Sequence, residues 1–371
     1  MKKRQLILGL VVLAALIGLV IWGRDRIHFD FGLFRTQVAM ADWRYIGIGV
    51  GCIYLGFVLR AARWAYLIRH QQKVSPLSLV SCQVLGFTAV GLIGRVADPV
   101  RPYLVARKTN LELSSQLAVY VVERLFDAGT LGLIFSVAML GVPTEEILKA
   151  MPHSGLLGHL GEEHAILSSL VARYGALVLT LLGALFLVLV RLASNSMAAF
   201  CEQSLGLISK KLGHAVGHKI RAFRAGLSAL HSLPDLASVL GLSLVMWVLI
   251  ALAYFITCRA FTAAPELATL GPQKSVLLMV ASGGASIVQL PVIGWFTQIG
   301  LVAVVMSLVL GVSHEAATAC AATLLLVTFL SIIPVGLIWA QIEHVSLRNV
   351  TAESEHAEQD LDPAASADAA K

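Results

Sequence analysis

The sequence predicts an all-α polytopic membrane protein. Three observations carry that reading: an apolar composition, recurrent long apolar runs, and two such runs broken in the middle by glycine and proline. Of 371 residues, 57% are hydrophobic and 13% charged, and mean hydropathy is +0.81. Soluble domains are about 25% charged. A helical run of about 18 apolar residues crosses about 30 Å of hydrocarbon. A β-barrel would alternate in polarity instead.

Six full spans are expected, at about 6–22, 45–67, 119–141, 174–192, 236–258 and 318–342. The first follows Lys2, Lys3 and Arg4. Its apolar run is too long for a signal peptide, and no small-x-small site precedes Arg24 and Arg26. It reads as a retained helix with its basic end in the cytoplasm.

The broken runs lie between these spans. Leu77 to Ala118 is interrupted by Gly94-Arg95-Val96-Ala97-Asp98-Pro99-Val100-Arg101-Pro102, and Ser275 to Val312 by Pro291-Val292-Ile293-Gly294-Trp295. Proline and glycine remove helix hydrogen bonds and favour a turn. Each run therefore reads as a re-entrant hairpin whose arms enter and leave from one side.

The chain then falls into two halves, about 1–141 and 170–342, within a transmembrane domain of residues 1–350. Each half has two helices, a broken hairpin and a helix. Three crossings per half is an odd number, so the second half is inverted relative to the first. Paired Gly/Pro breaks at matching positions point to a site between inverted repeats.

Charge in the connecting segments fits this layout with one exception. With both termini in the cytoplasm of a multi-pass plasma (inner) membrane protein, Arg69, Lys73, Arg107, Lys108, Arg191, Lys210, Lys211, Lys219, Arg221 and Arg224 lie inside. The exterior loop 142–173 holds Lys149 and Arg173 against Glu145, Glu146, Glu162 and Glu163. The loop 23–44 departs from the rule, since Arg24, Arg26, Arg35 and Arg44 fall outside, accompanied by Asp25, Asp30 and Asp42. Residues 193–235 read as a basic cytoplasmic linker lying on the membrane surface. Residues 351–371 read as an acidic, Ala-rich disordered tail.

The candidate site is a charge cluster between apolar stretches. Charged side chains in or against a bilayer are costly and are usually paired and functional. Glu123 and Asp127 are four apart and share a helix face, and Arg124 reaches Asp127 three residues on. Arg95 and Arg101 flank the first break with Asp98 between them, and Arg60 and Arg63 stand at the end of the second span. Guanidinium groups bind phosphate oxygens through two parallel hydrogen bonds. The substrate-binding candidates are thus Arg95, Asp98, Arg101, Glu123, Arg124 and Asp127, with Arg60, Arg63, Pro291, Gly294 and Gln298 along a pathway. The same charges could instead be a structural network that fixes the hairpin to its neighbour.

Other chemistry has little support. His153, His159 and His164 share a loop with Glu162 and Glu163 but lack fixed metal-ligand spacing, and no metal or other cofactor is expected. There is no GxSxG, P-loop or GxGxxG helix start. The five cysteines (Cys52, Cys82, Cys201, Cys258 and Cys320) form no CxxC pair and read as core residues. No basic patch with interleaved aromatics suggests nucleic acid. Gly47 and Gly51 at four-residue spacing, and the run Ser282-Gly283-Gly284-Ala285-Ser286, are expected to bring helices close together.

The stretch from Gly86 through Gly91, Gly94, Arg95, Asp98 and Arg101 to Tyr103, followed by Ser114-Ser115-Gln116 and Glu123-Arg124-Leu125-Phe126-Asp127, resembles the flippase-like transmembrane region of lysylphosphatidylglycerol synthases. The resemblance runs over about 40–342 and is strongest over 86–127. The family's Gly-Glu is Ala97-Asp98 here, and Gln298 is neutral where many relatives carry Glu. The resemblance implies a stand-alone member, without the soluble lysyltransferase domain, that moves a phospholipid or lipid-linked amphiphile. An integral-membrane transferase using Asp98 with Glu123, or a scaffold for a separate membrane enzyme, are the alternatives. The transport reading requires an opening beside the cluster; a region packed solid would remove it.

Overall fold

The computed structural model describes residues 30–141, 232–285 and 293–346, with single positions at 174, 175, 178, 350, 351 and 353. Several expected features lie outside the described residues. They are the span 6–22, the exterior loop 142–173 with its three histidines, nearly all of 174–192, the linker 193–231, and residues 286–292 with Pro291.

The protein is all-α. Helices α1 (Phe31–Met40), α2 (Trp43–Ile68), α3 (Val80–Ile93), α4 (Val100–Thr109) and α5 (Leu113–Leu140) form the first group. The second comprises α6 (Leu233–Arg259), α7 (Pro265–Ala268), α8 (Pro272–Ala285), α9 (Ile293–Leu310), α10 (His314–Leu325) and α11 (Ile332–Ile342), the last two joined by a π-helical turn, Leu326–Leu330. Among the described residues, Trp43–Ile68, Pro76–Ile93, Pro234–Arg259 and His314–Ile342 are long and apolar enough to cross a membrane. These match three expected spans and the first arm of the first hairpin. Helix α5 has 28 residues, about 42 Å at 1.5 Å per residue. It starts six residues before the expected boundary, because Leu113–Ala118 continue its buried face.

Side-chain chemistry sets the helix ends. Asp30 accepts from the backbone N–H groups of Gly32 and Leu33 to start α1, and Asp42 accepts from Arg44 to start α2. Two acids of the loop that breaks the charge rule are therefore helix caps. Ser232 and Asp235 form a reciprocal capping box on α6, so the last residues assigned to the linker belong to a span. Asn110, with φ 51°, ends α4 in the left-handed conformation.

Helices α2 and α6 run antiparallel as the central pair. Arg69 pairs with Asp235 at 2.6 Å at one end, Arg63 donates to Ser243 at 2.7 Å in the middle, and Gly49 meets Thr257 at the other end. Gly49 makes the close approach that was expected of Gly47 and Gly51, beside which there is open space. A methyl group added at Gly283 or Gly284 would likewise meet nothing within 4 Å. Two apolar clusters flank the pair. One gathers Ile53, Phe57, Tyr254, Phe261, Met306 and Leu324; the other gathers Trp64, Leu85, Val105, Val122 and Phe126. Outward faces are apolar too, as Val245, Val248, Val304, Leu308 and Ile338 illustrate, which suits contact with lipid.

The first break folds back as a hairpin. Gly94, with φ 95°, provides a turn conformation that few side chains tolerate. Beyond it α4 returns along α3: Arg101 packs on Gly86, and Lys108 Nζ reaches Ser81 Oγ at 2.8 Å. With 10 residues, α4 covers about 15 Å, too little to cross hydrocarbon. Lys108 also pairs with Glu343 at 2.9 Å, and Tyr103 donates to Glu353 at 2.9 Å. The first residues of the expected tail thus rest on the hairpin, with Val350 and Thr351 buried.

Helix α3 is wedged against α11 at Gly336. An alanine methyl there would fall 2.7 Å from Thr88 Cβ, inside contact distance. Gly336→Ala should therefore lower stability by about 1–3 kcal/mol. Thermal unfolding in detergent will measure this, and Gly47→Ala, at an open helical position where stability should hold or rise, serves as the control.

Candidate functional site

In its C-terminal half, helix α2 carries two buried arginines, Arg60 and Arg63, about one turn apart, where neighbouring positions such as Ala61 and Trp64 are core. Opposite them α5 presents Glu123 and Asp127, also one turn apart. Two ladders of opposite charge with the same helical pitch can therefore pair rung by rung. Arg63, 1% exposed, spans both carboxylates, with Nη2 2.6 Å from Glu123 Oε1 and Nη1 2.7 Å from Asp127 Oδ1. Arg60 lies 3.4 Å from Asp127 and 3.7 Å from Glu123.

The hairpin supplies the next cation. Arg101 on α4 reaches Glu123 Oε2 at 3.0 Å and donates to Gln83 Oε1 at 3.1 Å. Its guanidinium lies 5.0–5.2 Å from the rings of Trp64, Phe87 and Tyr120. The Arg60 guanidinium also lies over the Phe87 ring, at 5.1 Å. Aromatic faces stabilise a cation that has lost part of its water. Arg124 pairs with Asp127 at 3.2 Å, as the three-residue spacing predicts, and has a side chain 35% exposed. Arg95 pairs with Asp98 at 3.5 Å instead of joining the α5 carboxylates directly.

Beside these side chains lies a cavity of about 220 Å³. Its lining includes Arg60, Arg95, Asp98, Arg101 and Arg124 together with Ser282 and Gly283 of α8 and Gln298 of α9. Apolar groups, among them Ile53, Val90, Ile250, Met279 and Phe329, complete the wall. The cluster is thus neither packed solid nor sealed by its own carboxylates. Gln298 Nε2 donates to Ser282 Oγ and so holds α8 to α9 beside the cavity. Of the remaining pathway candidates, Arg63 sits behind the lining, Gly294 lies in the first turn of α9, and Pro291 is outside the described residues. For a transferase, Asp98 and Glu123 are already engaged, one by Arg95 and the other by Arg63 and Arg101.

Sequence reasoning missed the neutral members. Trp247 Nε1 donates to Asp127 Oδ1 at 3.2 Å, and Ser243 accepts from Arg63. Both lie in the apolar run of α6, where only their four-residue spacing sets one face apart. Trp64 donates to Gln116 Oε1 at 2.9 Å and is itself a wall of the aromatic box. Gly283, read as a packing residue, lines the cavity.

The family model described as the lysylphosphatidylglycerol synthase TM region matches residues 6–336. The match begins earlier than the resemblance read from motifs and covers both broken runs. No curated protein and no solved structure matches the chain.

Proposed function

The chain belongs to the lysylphosphatidylglycerol synthase TM region family, and from that membership and the charged chamber we propose that it moves a phospholipid or lipid-linked amphiphile across the membrane. The headgroup phosphate binds Arg60, Arg101 and Arg124, while the acyl chains stay along the apolar wall. Glu123 and Asp127 hold the guanidiniums in place. One observation carries this reading: a single cavity joins the arginines of the first hairpin to Ser282, Gly283 and Gln298 of the second broken run. A purely structural salt-bridge network would have no use for such an opening.

An inverted repeat fits the packing and supplies the motion. Helix α3 of the first hairpin packs on α11, the last helix of the second half, and α8 packs reciprocally on α5, the last helix of the first half. The central pair, α2 and α6, would be exchanged by the same two-fold operation. Rocking of one half against the other opens the chamber alternately. Gly94 and the π-helical turn that carries Thr328 and Phe329 are the local irregularities available for it; π turns recur at functional sites.

Fluorescent-lipid translocation in proteoliposomes is the test. Arg101→Ala should slow translocation at least about ten-fold, since a charged hydrogen bond contributes about 1.5–3 kcal/mol. Arg101→Lys should recover only part of the rate, because it restores the charge without the planar fork. Equal rates for the wild type and a properly folded Arg101→Ala variant would overturn the proposal.

A further inference from the structure

We propose that the chamber selects a doubly charged phosphomonoester headgroup over a phosphodiester, and that neutral Gln298 is what sets this preference. The inference rests on the translocation reading above and names the class of substrate.

Charge balance is the first support. Four guanidiniums, those of Arg60, Arg63, Arg101 and Arg124, face two carboxylates, Glu123 and Asp127. Arg95 and Asp98 cancel one another. Among the described residues this leaves a formal excess of two positive charges around the cavity. Residues 286–292, which join α8 to α9, contain no charged side chain in their sequence. Two uncompensated charges away from bulk water are unfavourable until an anion arrives. A phosphodiester brings one negative charge, whereas a phosphomonoester brings about 1.5–2 and three terminal oxygens.

Donor geometry and size agree. Three of the four arginines line the cavity, and Arg124 Nε has no hydrogen-bond partner among the described residues. Three guanidiniums match three terminal oxygens. The cavity, about 220 Å³, is smaller than the roughly 300–1,000 Å³ of sites for drug-sized ligands. A bare phosphate fits that space better than one esterified to a second alcohol. Gln298 lines the same cavity as the arginines. Glutamate at that position has the same shape and would reduce the excess to one.

Proteoliposomes carrying acyl-labelled phosphatidic acid, phosphatidylglycerol or phosphatidylcholine will test the class, with entrapped inorganic phosphate as a fourth arm. The expected result is phosphatidic acid moving about ten-fold faster than either phosphodiester, the gain from one further charged hydrogen bond. In Gln298→Glu that preference should fall to near parity while phosphatidylglycerol still moves. Equal rates for all three lipids in the wild type would overturn the substrate class and leave translocation standing. A preference unchanged in Gln298→Glu would overturn the role of Gln298. Movement of no lipid would overturn the translocation reading itself. Efflux of phosphate without lipid movement would uphold the doubly charged ligand and overturn its lipid source.

Discussion

Arg63→Met should be the most destabilising single substitution in the charged cluster, lowering stability by about 3–5 kcal/mol, the usual result of removing one partner from a buried ion pair. Its guanidinium is the only one in the cluster within 2.7 Å of both carboxylates among the described residues, and it also donates to Ser243. Removing it leaves Glu123 and Asp127, 1% and 4% exposed, to Arg60, Arg101 and Arg124, all at 3.0 Å or more. Those cations limit the loss, but none replaces the bridge between α2, α5 and α6. Arg124→Gln is the contrasting case. Its side chain is 35% exposed and its partners lie on its own helix, so a loss below about 1 kcal/mol is expected. Unfolding in mixed micelles will separate the two; similar losses would show that burial does not govern the network.

The cluster was legible because charge is rare in this chain and helical spacing is strict. Glu123 and Asp127 at i and i+4 had to share a face, and Arg124 had to reach Asp127. Partners on other helices were named only as a set, since spacing along one helix does not say which neighbour it meets. Arg95 illustrates this: the residue three positions on, Asp98, was the nearer carboxylate. Glycine spacing misled for the same reason. Gly47 and Gly51 define a smooth stripe, but α2 turns Gly49 toward α6. Trp247 and Ser243 were invisible because, in an apolar helix, faces toward lipid and toward protein have similar composition. The hairpin itself was readable, since Gly94 and two prolines leave the backbone few alternatives.

Gly86→Ala should damage stability and translocation together, because that glycine is where hairpin packing meets the chamber. A methyl group there would stand 2.7 Å from Arg101 Cβ and 3.2 Å from its Cα. The obstacle is thus the root and backbone of Arg101, and rotating the guanidinium cannot relieve it. Helix α4 must shift away from α3, which lengthens the Arg101–Glu123 contact of 3.0 Å and the Arg101–Gln83 hydrogen bond of 3.1 Å. Overpacking of this kind costs about 1–3 kcal/mol. Gly283→Ala separates the two effects. It adds a methyl group to the cavity wall where nothing lies within 4 Å, so stability should hold or rise by up to about 1 kcal/mol through helix propensity. Any loss of translocation in that variant comes from the narrowed chamber alone. If Gly86→Ala unfolds and translocates like the wild type, the close seating of α4 on α3 does not hold Arg101 in the chamber, and the coupling of hairpin to headgroup site fails with it.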